Sequence, residues 1–341
     1  MSEKSKFRDC PATGIGSMPG GDAREAAKTV TGSFGDGQGV PYLAELPARG
    51  PGADMIGRTI GLLVEMYGHV EPSGWRISDR PGRDTRRARS WLGEDLDALE
   101  EFTQGYEGPL KVQAVGPWTL AAALERRGGE AVLGDPGACR DLAGSLTEGL
   151  RDHLAEVRRR MPGARVILQL DEPSLTGVLR GQVRTASGYR TYRAVDRQLV
   201  ESTLREVLGA AGEVATLVHT CAPEVPFALL RRAGADGISF DFSLLTEREE
   251  EAIGEAVEGG TQLFLGVVPG TDPASDGLSD PGGSVMGVRT LWRRLGLNPG
   301  TLTESVAITP SCGLAGASPA YARAALAHCA RAAKSLADNP E

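Results

Sequence analysis

The sequence predicts an α/β protein of the (β/α)₈ TIM-barrel class. Eight short apolar runs rich in β-branched residues alternate with amphipathic helical patterns, which indicates a parallel sheet, and the number eight favours a closed barrel. The run at 166–170 is nearly all apolar, as expected for a parallel strand covered on both faces. An open, doubly wound sheet is the structural alternative.

The elements follow in order along the 341 residues. Strands are predicted at 13–17, 40–46, 110–115, 166–170, 216–219, 237–241, 262–268 and 306–309, and helices at 94–103, 136–160, 196–211, 247–258 and 319–337. Glycine and proline mark 71–89 and 269–283 as insertions or mobile loops, and the basic stretch 180–193 is expected to form an excursion or hairpin at the barrel mouth. Length alone would suggest two domains, but single barrels reach this size, so residues 1–341 are predicted to form one domain with frayed ends at 1–8 and 338–341.

Composition excludes several classes of protein. Apolar residues make up 40% and charged residues 24%, so a core can form without disulfides or structural metals. The net charge of −8 argues against a nucleic-acid partner, and the arginines between 83 and 89 are interpreted as a solvated loop and helix start. Without an 18-residue apolar stretch or an apolar signal core, no membrane partner is expected. Five scattered cysteines are typical of a reducing compartment, and we predict a cytoplasmic protein.

Ionisable residues stand directly after four of the predicted strands. The carboxyl ends of parallel barrel strands meet on one face, where active sites form, so these side chains are expected to converge. They are Asp171, His219, Cys221, Asp241 and Cys312.

Four of these residues are candidate zinc ligands. In an extended segment, residues two apart point to the same side, so His219 and Cys221 can both face the barrel axis. Cys312 after the last strand and Asp241 from a neighbouring strand complete a set of imidazole, thiolate and carboxylate donors. Two thiolates on zinc suit the activation of an incoming thiol better than that of water. The alternatives are that the cysteines fill the core and that Asp241 caps a loop.

Six motifs in the same order resemble the C-terminal catalytic barrel of cobalamin-independent methionine synthase, a zinc enzyme that methylates homocysteine. The resemblance runs over nearly the whole chain. The motifs are Ile15-Gly16-Ser17-Met18-Pro19, Asp54-Met55-Ile56, Gly116-Pro117-Trp118-Thr119, Gln169-Leu170-Asp171-Glu172-Pro173, His219-Thr220-Cys221 and Pro310-Ser311-Cys312-Gly313-Leu314.

The resemblance implies roles for matching residues. His219, Cys221 and Cys312 take zinc-ligand positions, and Asp241 stands where the family has a glutamate ligand. The segment Ile15, Gly16 and Ser17 corresponds to the binding site for the amino-acid carboxylate, Asp171 to the partner of the substrate ammonium, and Glu45 to a second acidic partner. Trp118 is interpreted either as a wall for the methyl donor or as packing at a helix start.

Two departures concern the methyl donor. Thr271 stands where the family has a catalytic histidine, which leaves Asp272 as the candidate proton donor, and the sequence has no counterpart of the family's duplicated N-terminal barrel. The predicted acceptor is therefore homocysteine or a related thiol, and the donor a methylfolate or a methylated corrinoid protein. The alternatives are a zinc enzyme that alkylates a coenzyme thiol, a uroporphyrinogen decarboxylase relative, and a non-catalytic zinc- or amino-acid-binding paralogue.

Overall fold

The computed structural model describes residues 11–35, 37, 39–273, 278 and 280–341. The predicted frayed end at 1–8 and part of the predicted loop 269–283 lie outside these residues. The strands are β1 (Ala12–Thr13), β2 (Gly39–Val40), β3 (Tyr67–Glu71), β4 (Gly74–Ser78), β5 (Pro109–Val115), β6 (Leu124–Glu125), β7 (Arg165–Asp171), β8 (Ala215–Thr220), β9 (Gly237–Asp241), β10 (Gln262–Val268) and β11 (Val306–Pro310).

Helices separate most of these strands. They are α1 (Ala23–Phe34), α2 (Met55–Leu62), α3 (Arg83–Phe102), α4 (Pro117–Ala123), α5 (Pro136–Arg160), α6 (Leu175–Arg180), α7 (Arg197–Leu208), α8 (Phe227–Ala233), α9 (Glu250–Glu258), α10 (Pro281–Ser284), α11 (Met286–Arg294), α12 (Leu302–Ser305) and α13 (Pro319–Asp338). Within the described ranges, no helix is both long enough and apolar enough to cross a bilayer.

Eight parallel strands form the barrel in the order β2-β1-β11-β10-β9-β8-β7-β5. The residues just after β2 close it against β5, because Leu43 N donates to Lys111 O at 2.9 Å and Lys111 N donates to Pro41 O at 2.9 Å. This confirms the predicted (β/α)₈ barrel.

The first two strands are shorter than predicted. Beyond β1 and β2, the predicted strand segments 13–17 and 40–46 pair with each other only at the isolated parallel bridge between Ser17 and Glu45. The reason lies at Ile15, whose carbonyl accepts hydrogen bonds from the side chains of Lys111 (2.7 Å) and Gln169 (2.9 Å) instead of from a neighbouring strand. Side-chain donors thus replace part of the backbone hydrogen bonding between strands at Ile15, within the segment that was predicted to bind the ligand.

The segment 71–89 was predicted as an insertion or a mobile loop, and the loop alternative is wrong over most of its length, since the segment contributes to a sheet separate from the barrel and to α3. Strands β3 and β4 form an antiparallel hairpin that β6 extends, and α3 begins at Arg83 rather than at 94. The Thr85 hydroxyl fixes the hairpin to α3, since it donates to Gly68 O at 2.8 Å and accepts from Gly68 N at 3.1 Å. The apolar alternation of Trp75 and Ile77 was the overlooked signal.

The segment between α6 and α7 forms a hairpin, which is one of the two alternatives predicted for 180–193. Arg184 and Thr191 make an antiparallel bridge, and Thr185 N donates to Arg190 O at 2.9 Å. At the other end of the chain, α13 continues to Asp338, and Arg289 Nε donates to Asn339 O at 2.8 Å.

Candidate metal and ligand site at the carboxyl ends of the strands

The barrel interior changes from apolar to polar along the strands. Ile167 and Leu217 belong to a small buried cluster contributed by several strands. Because side chains two apart share a face of a strand, β7 presents Gln169 and Asp171 beyond Ile167, and β8 presents His219 beyond Leu217. All three polar side chains are buried, so the mouth of the barrel holds a polar site above an apolar floor.

His219, Cys221 and Cys312 come together at this mouth. Their ligand atoms all lie within 4.8 Å of one another, and the two sulfur atoms are 3.5 Å apart. His219 Nδ1 is hydrogen-bonded to Ser239 Oγ at 2.8 Å, whereas the buried Nε2 has no hydrogen-bond partner among the described residues. A buried polar atom without a partner requires an explanation, and a metal ion held by one imidazole nitrogen and two sulfurs supplies one. The donor set therefore fits zinc.

The two thiols differ in their acidity. The contact with Cys221, and next the neighbouring His219, lower the pKa of Cys312 to about 4. The same contact and burial raise the pKa of Cys221 well above its usual range. One sulfur of the pair is thus readily ionised, as a metal ligand must be.

Two glycines allow the chain to carry Cys312 to this position. A Cβ on Gly266 of β10 would lie 2.6 Å from Ser311 Cα, and one on Gly313 would overlap the Ser17 hydroxyl. Leu314 N also donates to Ser17 O at 2.9 Å. The loop after the last strand therefore packs directly on the segment after the first strand, and it places the candidate metal site beside the predicted ligand-binding segment.

Glu45, Asp171 and Lys111 form a buried charged group below this segment. Burial raises the pKa of both carboxyl groups and lowers the pKa of Lys111 to about 8. Gln169 Nε2 donates to Asp171 Oδ1 at 2.7 Å, and Arg58 Nε lies 3.8 Å from Glu45 Oε1. Lys111 and Arg58 both act on Glu45, whereas Asp171 forms no ion pair within 4 Å with a described residue, so a ligand ammonium fits beside Asp171 electrostatically.

Lys111 was missed by the sequence analysis, and its removal is expected to destabilise the fold. Its ammonium is fully buried between two acidic groups and donates to Ile15 O. We expect Lys111→Met to lower the free energy of unfolding by about 3–5 kcal/mol, because it leaves buried carboxylates without their cation. Urea denaturation measures this. Lys28→Met, on an exposed position of α1, is the matched control, and an equal effect of the two substitutions would contradict the assignment.

Asp241 lies at the end of β9 but outside the group formed by His219, Cys221 and Cys312. Its Oδ1 accepts hydrogen bonds from Ser243 N at 2.9 Å and from Ser243 Oγ at 2.6 Å. The Oδ2 atom accepts no hydrogen bond from the described residues. In this arrangement Asp241 caps the following turn with one oxygen and keeps the other free.

The remaining two candidates, Trp118 and Asp272, are engaged in packing and capping. The Trp118 indole is 2% exposed, and its Nε1 donates to Val200 O at 3.3 Å, which is the packing arrangement considered as the alternative. Asp272 accepts hydrogen bonds from Ser318 N and Ser318 Oγ, both at 2.7 Å, and these lower the pKa of its carboxyl group. Asp272 therefore lies at the start of α13 as a stabilised carboxylate, a poor state for donating a proton.

Glu172 is a buried carboxyl group for which the sequence predicted no role of its own. It accepts from Trp118 N at 2.9 Å, and from Thr119 N at 2.8 Å and Thr119 Oγ1 at 2.7 Å. Burial nevertheless raises its pKa to about 7. A Cβ on Gly116 would overlap this carboxyl group, which explains the glycine before α4. Glu172 thereby fixes the start of α4 to the end of β7, next to Asp171.

The chain was compared with known protein families and solved structures. The profile of the family described as "Cobalamin-independent synthase, Catalytic domain" matches residues 10–335. A solved B12-independent methionine synthase from Shewanella sp. W3-18-1, in complex with selenomethionine, aligns with a TM-score of 0.61 and 14% identity over 95% of this chain and 97% of that chain. A psychrophilic glycoside hydrolase family 10 endo-β-1,4-xylanase aligns with a TM-score of 0.33 and 12% identity over 64% of this chain and 71% of that chain. No curated protein matched the chain.

Proposed function

Because the chain belongs to the family of cobalamin-independent synthase catalytic domains, we propose that it transfers a methyl group to the sulfur of homocysteine, with zinc at the site of His219, Cys221 and Cys312. Membership of this family makes the chain a methyltransferase of methionine biosynthesis. The observation that carries the proposal is the position of three potential metal ligands directly beside a buried pair of carboxyl groups. One part suits a thiol and the other an ammonium, and homocysteine carries both.

The proposed ligands are His219 through Nε2 and the sulfurs of Cys221 and Cys312. Asp241 is the proposed fourth ligand through Oδ2, since Ser243 already holds Oδ1 and would orient the carboxylate. When bound, zinc supplies a Lewis acid that lowers the pKa of a substrate thiol, so that the thiol is present as the more nucleophilic thiolate.

The protein's own residues hold the amino-acid end of the substrate. Asp171, with Glu45 as its second acidic partner, is proposed to bind the ammonium, and the Ile15-Gly16-Ser17 segment the carboxylate. Gln169 holds Asp171 in place and also bonds Ile15 O, so one side chain positions both halves of the pocket. Binding the ammonium and the carboxylate at fixed positions leaves the sulfur directed towards the metal ligands. It also reduces the entropy cost of reaching the transition state.

The methyl donor is proposed to be a methylated corrinoid rather than a methylfolate. A folate leaving group needs a proton. Thr271, at the family's histidine position, offers only a weakly acidic hydroxyl, and Ser318 stabilises the next residue, Asp272, as the carboxylate. A reduced corrinoid leaves without protonation. A methylfolate therefore requires a proton donor that the described residues do not supply at this position, whereas a methylated corrinoid does not require one.

A methyl-transfer assay tests both parts of the proposal. Zinc-loaded protein is given homocysteine with methylcobalamin, monoglutamyl methylfolate or triglutamyl methylfolate, and methionine is quantified. We expect turnover with methylcobalamin. Turnover only with the triglutamyl folate would overturn the donor assignment. Equal or better methylation of 2-sulfanylethanesulfonate, a thiol without an ammonium, would overturn the acceptor assignment and favour an enzyme that alkylates a coenzyme thiol.

A further inference from the structure

A cavity of about 390 Å³ lies beside the proposed active site and is not used by the reaction described above. Its lining comes from α6, the first residue of α7 and the loops that follow β8 and β9. Glu224, in this lining, stands three residues after Cys221. Since the loops after barrel strands lie at the carboxyl ends of the strands, the cavity opens on the same face as the metal ligands.

Three arginines line this cavity, and two of them have no partner among the residues that the structure describes. Arg180 forms an ion pair with Glu224. Arg197 and Arg248 are exposed and form no hydrogen bond or ion pair with any residue that the structure describes. Two unpaired guanidinium groups in one concave surface constitute a positive site that a ligand can neutralise.

Two acidic residues, Glu224 and Glu249, also line the cavity. Glu249 Oε1 accepts from Val225 N at 2.9 Å, and Oε2 accepts from Thr246 N at 3.0 Å and Thr246 Oγ1 at 3.1 Å. Glu224 is occupied by Arg180. These contacts hold the walls of the cavity and leave both carboxylates charged, so three arginines against two carboxylates give the lining a net charge of +1.

The segment between α6 and α7, which contains the hairpin, adds positive charge next to the cavity. Between the lining residues Arg180 and Arg197 lie three more arginines, at 184, 190 and 193, and one acidic residue, Asp196, whereas the whole chain carries a net charge of −8. Asp196 is used as the N-cap of α7, where it accepts from Gln198 N and Leu199 N. A basic region in an acidic protein attracts anions to one place on its surface.

We propose that this cavity is a binding site for a small ligand that carries carboxylate or phosphate groups. Guanidinium groups bind both oxyanions through paired charge-assisted hydrogen bonds, and a concave site of this size suits a small molecule better than the surface of a folded protein. The methyl donor is the ligand that we assign to this site, and this assignment rests on the proposed function.

Calorimetric titration of the zinc-loaded chain with citrate, as a tricarboxylate, and with inorganic phosphate tests the site. We expect binding of at least one anion, weakened about tenfold by Arg197→Gln and about 100-fold by the double variant R197Q/R248Q. The matched control is Arg158→Gln, an exposed arginine in the last turn of α5 at the opposite end of the barrel. It should change the affinity less than twofold.

Each outcome has a defined meaning. Binding of citrate alone identifies a carboxylate ligand, and binding of phosphate alone identifies a phosphate ligand. No binding of either anion, or equal affinities of the double variant and R158Q, would overturn the proposal. In the methyl-transfer assay, R197Q/R248Q should raise KM for the donor and leave KM for homocysteine unchanged. A wild-type chain that binds the anion but transfers no methyl group would refute the proposed function and leave the anion site intact.

Discussion

Replacement of Cys312 by serine is expected to abolish both zinc binding and methyl transfer. The substitution keeps the size of the side chain but removes one of the two sulfurs that lie 3.5 Å apart beside His219. A site that loses one of its thiolate donors should bind zinc more than about 100-fold less tightly, since even the loss of groups that only orient the ligands costs ~10–100-fold. Metal analysis after dialysis against a competing chelator measures this, and the methyl-transfer assay reports the consequence.

Cys139→Ser is the matched control, because Cys139 is half-buried and its sulfur is hydrogen-bonded to Val132 O at 3.5 Å, away from the candidate metal site. It should retain zinc and activity. Asp241→Asn gives a graded comparison, with a smaller loss of zinc affinity if Oδ2 is the fourth ligand. Stoichiometric zinc and unchanged turnover in the Cys312 variant would refute the assignment of the metal site.

The second large effect is expected for Asp171→Asn. The substitution keeps the hydrogen-bonding shape but removes the charge that is proposed to face the substrate ammonium. Loss of one partner of a buried charge pair costs about 2–5 kcal/mol, so the affinity for homocysteine should fall at least about 30-fold. The affinity for 4-sulfanylbutanoate, which lacks the amino group, should change little. Titration calorimetry with both ligands measures the difference.

Asp152→Asn, at an exposed position of α5, serves as the control for this experiment. Zinc content and the urea midpoint of the Asp171 variant establish that the fold and the metal site persist. A parallel loss of affinity for both thiols would mean that Asp171 supports the pocket in general and does not recognise the ammonium.

The barrel and the residues that follow its strands were predictable, because apolar runs and the polar residues after them are local features of the sequence. This applies to Asp171, His219, Cys221 and Cys312. Lys111 and Gln113 were less visible, since they lie inside the apolar run of β5. Gln113 is buried, and its side chain donates to Leu43 O at 2.5 Å. Their spacing of two residues was nevertheless the signal for a polar stripe facing the barrel interior.

Other features depend on contacts that no local pattern encodes. Whether Trp118 faces the barrel mouth or the helical layer is decided by Glu172 and Val200, 54 and 82 residues away. The state of Asp272 is likewise set by Ser318, 46 residues later. The hairpin of β3 and β4 was not predicted, because the glycines and prolines of 71–89 outweighed a short alternation of apolar residues and indicated only an insertion or a mobile loop.

The long separation of Cys312 from the other candidate ligands has a consequence for biosynthesis. Cys221 and Cys312 are 91 residues apart in the chain. At translation rates of ~5–20 residues per second, a nascent chain therefore carries the pair His219 and Cys221 for roughly 5–20 s before Cys312 is made. During that interval the two exposed donors can be oxidised or take up a competing metal. The order of synthesis thus sets an interval in which only two of the three candidate metal ligands exist.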